Sequence, residues 1–203
     1  MTVALVYRMI VWLENLDKNA MTEPKWKLVS QSRVRFWICV CSLFACAVAA
    51  IGGEEGYYLC VLLLSIVSGG LLAAGVMDVE THLIYDFVWW ISGTAALLLL
   101  LFSENARVVW WDIMSFIVLQ HLLFGRLYGR ADCHAFCVCA LAEGAFGMTM
   151  QDYLVHMLIA IGILSAVQLA GGNVTGDGRL KVPVPFLPYI TVSFGIMLIV
   201  KVL

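Results

Sequence analysis

Apolar residues in this chain come in long unbroken runs separated by short polar stretches. Seven runs, at about 36–51, 57–77, 87–102, 109–126, 133–149, 153–170 and 186–203, approach the length of a membrane-crossing helix. Such a helix needs about 20 apolar residues, with about 17–25 as the working range. Lipid offers no partner to backbone N–H and C=O groups, so a spanning segment closes its hydrogen bonds within itself as a helix. A transmembrane barrel would show alternation of period two, which these runs lack. The pattern predicts an all-α, polytopic membrane helix bundle of about seven transmembrane helices. It divides into an N-terminal segment, 1–35, and a transmembrane domain, 36–203.

Composition agrees. Of 203 residues, 63% are hydrophobic and 13% charged, against about 25% charged in an ordinary soluble domain. The twelve lysines and arginines fix an orientation. With the N-terminus in the cytoplasm, Arg8, Lys18, Lys25, Lys27, Arg33, Arg35, Arg126, Arg130, Arg179 and Lys181 fall on the cytoplasmic side. Only Arg107 and Lys201 fall opposite, as the positive-inside rule requires. Residues 3–13 are apolar apart from Arg8 and too short to span. No basic segment precedes them, so an interfacial helix is expected rather than a signal peptide. Residues 14–35 read as a polar connector. The expected location is a cell membrane, crossed several times, with the lipid bilayer as one partner.

Other features narrow the chemistry. No P-loop, GxGxxG or basic-aromatic run points to nucleotide or nucleic acid. The seven cysteines, at 39, 41, 46, 60, 133, 137 and 139, sit in apolar stretches without CxxC spacing, so neither zinc nor disulfide is expected. The four histidines lack HExxH spacing; no metal and no cofactor are predicted. Tyr57, Tyr58, Trp89, Trp90, Trp110, Trp111, Tyr128 and Tyr189 lie near predicted helix ends, as in an aromatic belt at headgroup depth.

The candidate chemistry rests on two acids. Asp78 follows the second run in MDVETHLIYDF, and Asp132 opens the fifth in YGRADCHAF. Two complete crossings separate them, which returns the chain to the same face, so the carboxylates can meet. A carboxyl at a membrane boundary is costly to keep. Two adjacent carboxyls cannot both ionise cheaply and share one proton. That arrangement suits amide hydrolysis: the ionised acid takes a proton from water while the neutral one polarises the carbonyl. Asp132 at a helix N-terminus is expected to hold the ionised form and Asp78, at a C-terminus, the protonated one. Asp86 is a candidate helix N-cap, and Gly129 a place where the chain turns without a Cβ. Glu143, inside the fifth run, could line a wet cleft, pair with a histidine or stay protonated.

The motifs resemble those of the type IV prepilin peptidases and the related archaeal preflagellin peptidases, GxGD-type membrane aspartyl proteases. Asp78, Thr81, Ile84 and Asp86 match a D-x-x-T-x-x-I-P-[ND] pattern, with Tyr85 where the family has proline. Gly129-Arg130-Ala131-Asp132 resembles G-x-G-D, with Ala131 for the second glycine and His134 where a lysine is common. Pro185, Phe186 and Pro188 resemble a P-F-x-P segment. Order, spacing and sidedness agree across about residues 57–203.

The resemblance implies an aspartic endopeptidase with Asp78 and Asp132 catalytic. Its substrate would be a type IV prepilin-like protein with a short basic leader and a glycine before the cut. Glu80 and Asp86 are the candidate contacts for that leader. Many family members also N-methylate the new terminus through a cytoplasmic domain with CxxC pairs; this chain's 1–35 lacks cysteine, so a peptidase without methylase activity is expected. Two other readings compete: a presenilin-like intramembrane protease, and a non-enzymatic transporter or assembly scaffold using its carboxylates for protons or cations.

Overall fold

The computed structural model describes residues 57–81, 84–171 and 184–202. Six α-helices and one short 3-10 turn account for nearly all of them, with no strand among the described residues. They are α1 (Tyr57–Thr81), α2 (Asp86–Leu101), α3 (Ala106–Leu122), α4 (Arg130–Ala145), α5 (Met150–Ala170) and α6 (Leu187–Val202), with the 3-10 turn at Phe124–Arg126 between α3 and α4. The first predicted run, 36–51, lies outside the described residues, as do the interfacial helix at 3–13 and the connector at 14–35.

Two helices, over Tyr58–Val79 and Met150–Ala170, are long and apolar enough to cross a membrane. The apolar helices Asp86–Leu101 and Leu187–Lys201 are shorter. At about 1.5 Å per residue, a 16-residue helix such as α2 or α4 is about 24 Å long.

Helix starts differ from the sequence reading in a consistent way. α4 begins at Arg130 rather than 133 and α5 at Met150 rather than 153. In each, an acid in the first turn caps the helix. The Gly129 N–H donates to Asp132 Oδ2 at 3.2 Å, and the Thr149 N–H donates to Asp152 Oδ2 at 2.8 Å. First-turn N–H groups have no intrahelical partner, so a carboxylate there belongs to the helix. Asp132 is therefore the third residue of α4, not a residue preceding it. Asp78 likewise lies inside the last turn of α1 rather than beyond it. The expectation for Asp86 also changes: Tyr85 occupies the cap position, and Asp86 is the first residue of α2.

α4 is the hub, packed against α1, α2, α3 and α6. Its sequence explains this, because small residues cover most of its surface. Cys133, Ala135, Cys139, Ala140, Ala142 and Gly144 are all buried, which lets neighbouring backbones approach closely. α1 and α6 also meet tightly at Gly75, where a Cβ would lie 3.6 Å from the backbone of Pro188. After α4 the chain reverses through Gly147, whose φ of 73° favours glycine.

The polarity of α5 is inverted relative to a helix in water. Tyr153, His156 and Gln168 are among its few buried residues. Leu154, Val155, Leu158, Ile161, Val167 and Leu169 are exposed. Elsewhere Trp90 is 76% and Trp111 77% exposed. On α5 the side chains of Tyr153, His156 and Gln168 face inward and most of the exposed surface is apolar.

Candidate active site

The site begins with the segment before α6. Pro185 is half-buried, Phe186 and Leu187 are buried, and Pro188 occupies the second helical position. The Phe186 carbonyl accepts the N–H groups of Tyr189 and Ile190, at 3.0 and 3.3 Å. Pro188 has no N–H. The first turn of α6 is thus left with the Leu187 N–H to place, and it donates to Asp78 Oδ2 at 3.2 Å. The sequence reading set Asp78 at the unfavourable, C-terminal end of its own helix. In the folded chain it faces the N-terminus of α6, where a negative charge is stabilised.

Asp132 approaches from α4. Its carboxyl is half-buried and takes the Gly129 N–H. Burial, and then the charge of Asp78, push its pKa up to about 6, against the opposing effect of the Gly129 hydrogen bond. The two acids, 54 positions apart, are therefore brought near enough for one charge to act on the other. The sequence reading gives Asp132 the ionised form on the ground of helix polarity; burial and the charge of Asp78 act on its carboxyl in the opposite direction.

Tyr128 joins the two halves. Its ring packs against Phe186 (5.9 Å between centroids), Phe136 (5.8 Å) and Phe124 (5.9 Å). Its hydroxyl donates to Oε1 of Gln120, a fully buried side chain on α3. Gln120 Nε2 in turn reaches the Met157 sulfur at 3.0 Å. Burial raises the phenol well above its ordinary value, so Tyr128 remains a donor. Instead of joining an aromatic belt, this tyrosine is fixed between the Asp132 turn and the Phe186 segment. Tyr189 is similarly engaged, with its hydroxyl 3.5 Å from Gln168 Nε2.

The supporting motif residues fall into place unevenly. Ala131 and Ile84 are half-buried and pack on the core. Tyr85, where the resembled motif has proline, has φ −75° and ψ 133°, a backbone that proline itself would adopt. Gly129 has φ −67° and ψ 159°, open to any residue, so a turn needing glycine is not its role; its N–H is what the site uses. Thr81 ends α1, and its side chain and that of Glu80 lie outside the described residues. Asp86 is exposed at the start of α2. His134 sits by Trp89 and His121, with ring centroids 6.1 and 5.6 Å away.

Glu143 does not join the aspartates. It is fully buried, and its Oε1 lies 2.6 Å from Nδ1 of His156. Of the sequence alternatives for Glu143, pairing with a histidine is the one observed. Asp112 and Asp152 are occupied at the start of α5, where Asp112 Oδ2 accepts the Met150 N–H at 3.3 Å.

No protein-family model, curated protein or solved structure matches the chain.

Proposed function

We propose that this chain is a multi-pass membrane aspartyl endopeptidase with a GxGD-protease-like bundle of about seven spans, its N-terminus in the cytoplasm. Asp78 and Asp132 are its catalytic pair. They act at the cytoplasmic face on a prepilin-like precursor, removing a short basic leader. The observation that carries this reading is that each acid accepts a backbone N–H, Asp78 from Leu187 and Asp132 from Gly129, with the charge of Asp78 acting on Asp132. The inward polar and outward apolar faces of α5 support the membrane setting, because ionisable and amide groups in a bilayer turn toward the protein interior.

The pair shares one proton, and that proton belongs to both groups. The ionised carboxylate takes a proton from a water molecule as its oxygen attacks the scissile carbonyl carbon. The protonated carboxyl hydrogen-bonds the carbonyl oxygen as negative charge grows there. Collapse of the tetrahedral intermediate breaks the C–N bond and delivers a proton to the leaving nitrogen, and the pair returns to its one-proton state. Leu187 N–H and Gly129 N–H steady the negative charge on each acid without supplying a proton. Glu80, in the last turn of α1, and Asp86, the first residue of α2, are the leader contacts.

Purified protein in lipid vesicles should cleave a precursor carrying a basic leader and a glycine before the cut. Asp78→Ala and Asp132→Ala should each abolish it. A rival reading, a proton-carrying transporter, draws on the buried Glu143–His156 pair. It requires instead that the native chain leave the precursor intact while proton flux depends on Glu143.

A further inference from the structure

Among the described residues, Glu143 and His156 form a deeply buried titratable pair apart from the aspartates. Glu143 is 0% and His156 1% exposed, and they come from two different helices, α4 and α5. A third helix completes the contact. His156 Nε2 lies 3.3 Å from the carbonyl oxygen of Ile190, one turn into α6. The rings of Phe136 and Phe194 close over the imidazole at 5.4 and 6.4 Å. A carbonyl can only accept, so Nε2 carries a hydrogen. The remaining ring nitrogen, Nδ1, faces Glu143 Oε1. A proton shared between Nδ1 and Oε1 leaves the pair neutral overall wherever it sits, the form least costly to bury.

The second link is in α6 itself. Ile190 N–H bonds the Phe186 carbonyl, and the intervening Leu187 N–H bonds Asp78. The His156 contact therefore grips the same helical turn that presents a donor to Asp78.

We propose that Glu143 and His156 are positioning residues: they hold the first turn of α6 so that the Leu187 N–H stays on Asp78. Glu143 fixes the imidazole orientation, His156 fixes the Ile190 carbonyl, and α6 transmits this to the aspartate. This deepens the peptidase reading, on which its activity arm rests. The titratable groups acting on Glu143 are Asp152 of α5 and His156 itself, while Glu143 acts on Cys139 of α4 and Tyr153 of α5. Asp112 of α3 reaches the cluster through Tyr153. From α6 the facing groups are the Ile190 carbonyl and Phe194.

The test uses full-length protein in lipid vesicles and three variants. Replacing both partners, Glu143→Leu with His156→Leu, leaves no orphaned charge and should preserve folding, since apolar replacement of a buried pair is often neutral. In that double variant, amide exchange over residues 187–190 should rise at least tenfold. Cleavage should fall about tenfold in kcat with KM within twofold. The acid limb of its pH profile should move upward, because Asp78 loses help in staying ionised. Glu143→Gln should remain within about threefold of native, since a glutamine N–H can still donate to Nδ1 and keep the Nε2 hydrogen on Ile190. Glu143→Leu alone should behave like the double variant in exchange. Exchange at 187–190 within twofold of native in the double variant overturns the proposal, whatever the activity. So does native-like kcat when exchange has risen. If the native protein cleaves nothing, the peptidase reading fails, and the exchange result still decides whether the pair holds α6.

Discussion

The Leu187 backbone N–H donates to Asp78 Oδ2 at 3.2 Å, joining residues 109 positions apart. One acid of the proposed pair is thus held by the N-terminus of a helix that is not its own. The contact depends on Pro188, which offers no N–H, and on Phe186, whose carbonyl already takes the next two donors.

Leu187→Pro removes that hydrogen bond together with a buried side chain. Proline is well tolerated at the first helical position, so α6 should form and the circular dichroism spectrum should be unchanged. A hydrogen bond to a charged group contributes about 1.5–3 kcal/mol, so cleavage should drop about 10- to 100-fold. Leu187→Ala, which trims the same buried side chain but keeps the N–H, should lose far less activity than Leu187→Pro. Equal rates for the two variants would rule out a role for the backbone donor.

The Asp132 carboxyl, pushed up to about 6 by burial and then by Asp78, gives a signed pH dependence. Its folded value lies above the ordinary 3.8, so its contribution to stability is fully present below about pH 3.8 and lost as pH rises through about 6. Thermal melts from pH 4 to 8 should show the native protein losing stability over that interval relative to Asp132→Asn. Cleavage should decline on the alkaline side of the same interval, as the one-proton state of the pair is depleted. A native-minus-variant difference that is flat across it contradicts the assignment.

Much of the helical layout is legible in the letters, because uninterrupted apolar runs such as 57–77 and 153–170 admit little else. Helix starts are hard to read where an acid caps the first turn: Asp132 and Asp152 look like polar flanks in sequence and are structural parts of α4 and α5. The two aspartates stand out because a membrane-edge carboxylate is expensive. What holds Asp78 does not stand out, since a backbone N–H has no letter of its own. Tyr128 was hidden for another reason. A tyrosine near a helix end reads as an interfacial anchor, and only the fold reveals its hydroxyl on Gln120. Glu143 signalled a need for a partner, but four histidines were available and nothing in their spacing selected His156.

Gly129→Ala tests whether the glycine is needed for its backbone freedom or only its N–H. With φ at −67°, an alanine meets no conformational penalty, and its Cβ would sit 3.4 Å from Asp132 Oδ2, an ordinary contact. Activity should remain within about threefold of native, and the alkaline limb should not move. A loss of a hundredfold or more would mean that substrate backbone must pass through the space a Cβ fills.

Tyr128→Phe keeps the ring between Phe186 and Phe136 and removes only the hydroxyl that Gln120 accepts. Gln120 is fully buried, so its Oε1 loses a donor in a place water reaches poorly. An orphaned buried acceptor costs about 1–3 kcal/mol, which should appear as a lower melting temperature in detergent. Gln120→Leu combined with Tyr128→Phe removes both polar ends and should recover most of that loss. Because the ring stacking that connects the Asp132 turn to Phe186 survives in both variants, cleavage at a temperature well below the melt should change by less than about fivefold. If Tyr128→Phe instead lost activity while its melting temperature held, the hydroxyl would have a role in the reaction itself rather than in holding α3 against the Asp132 turn.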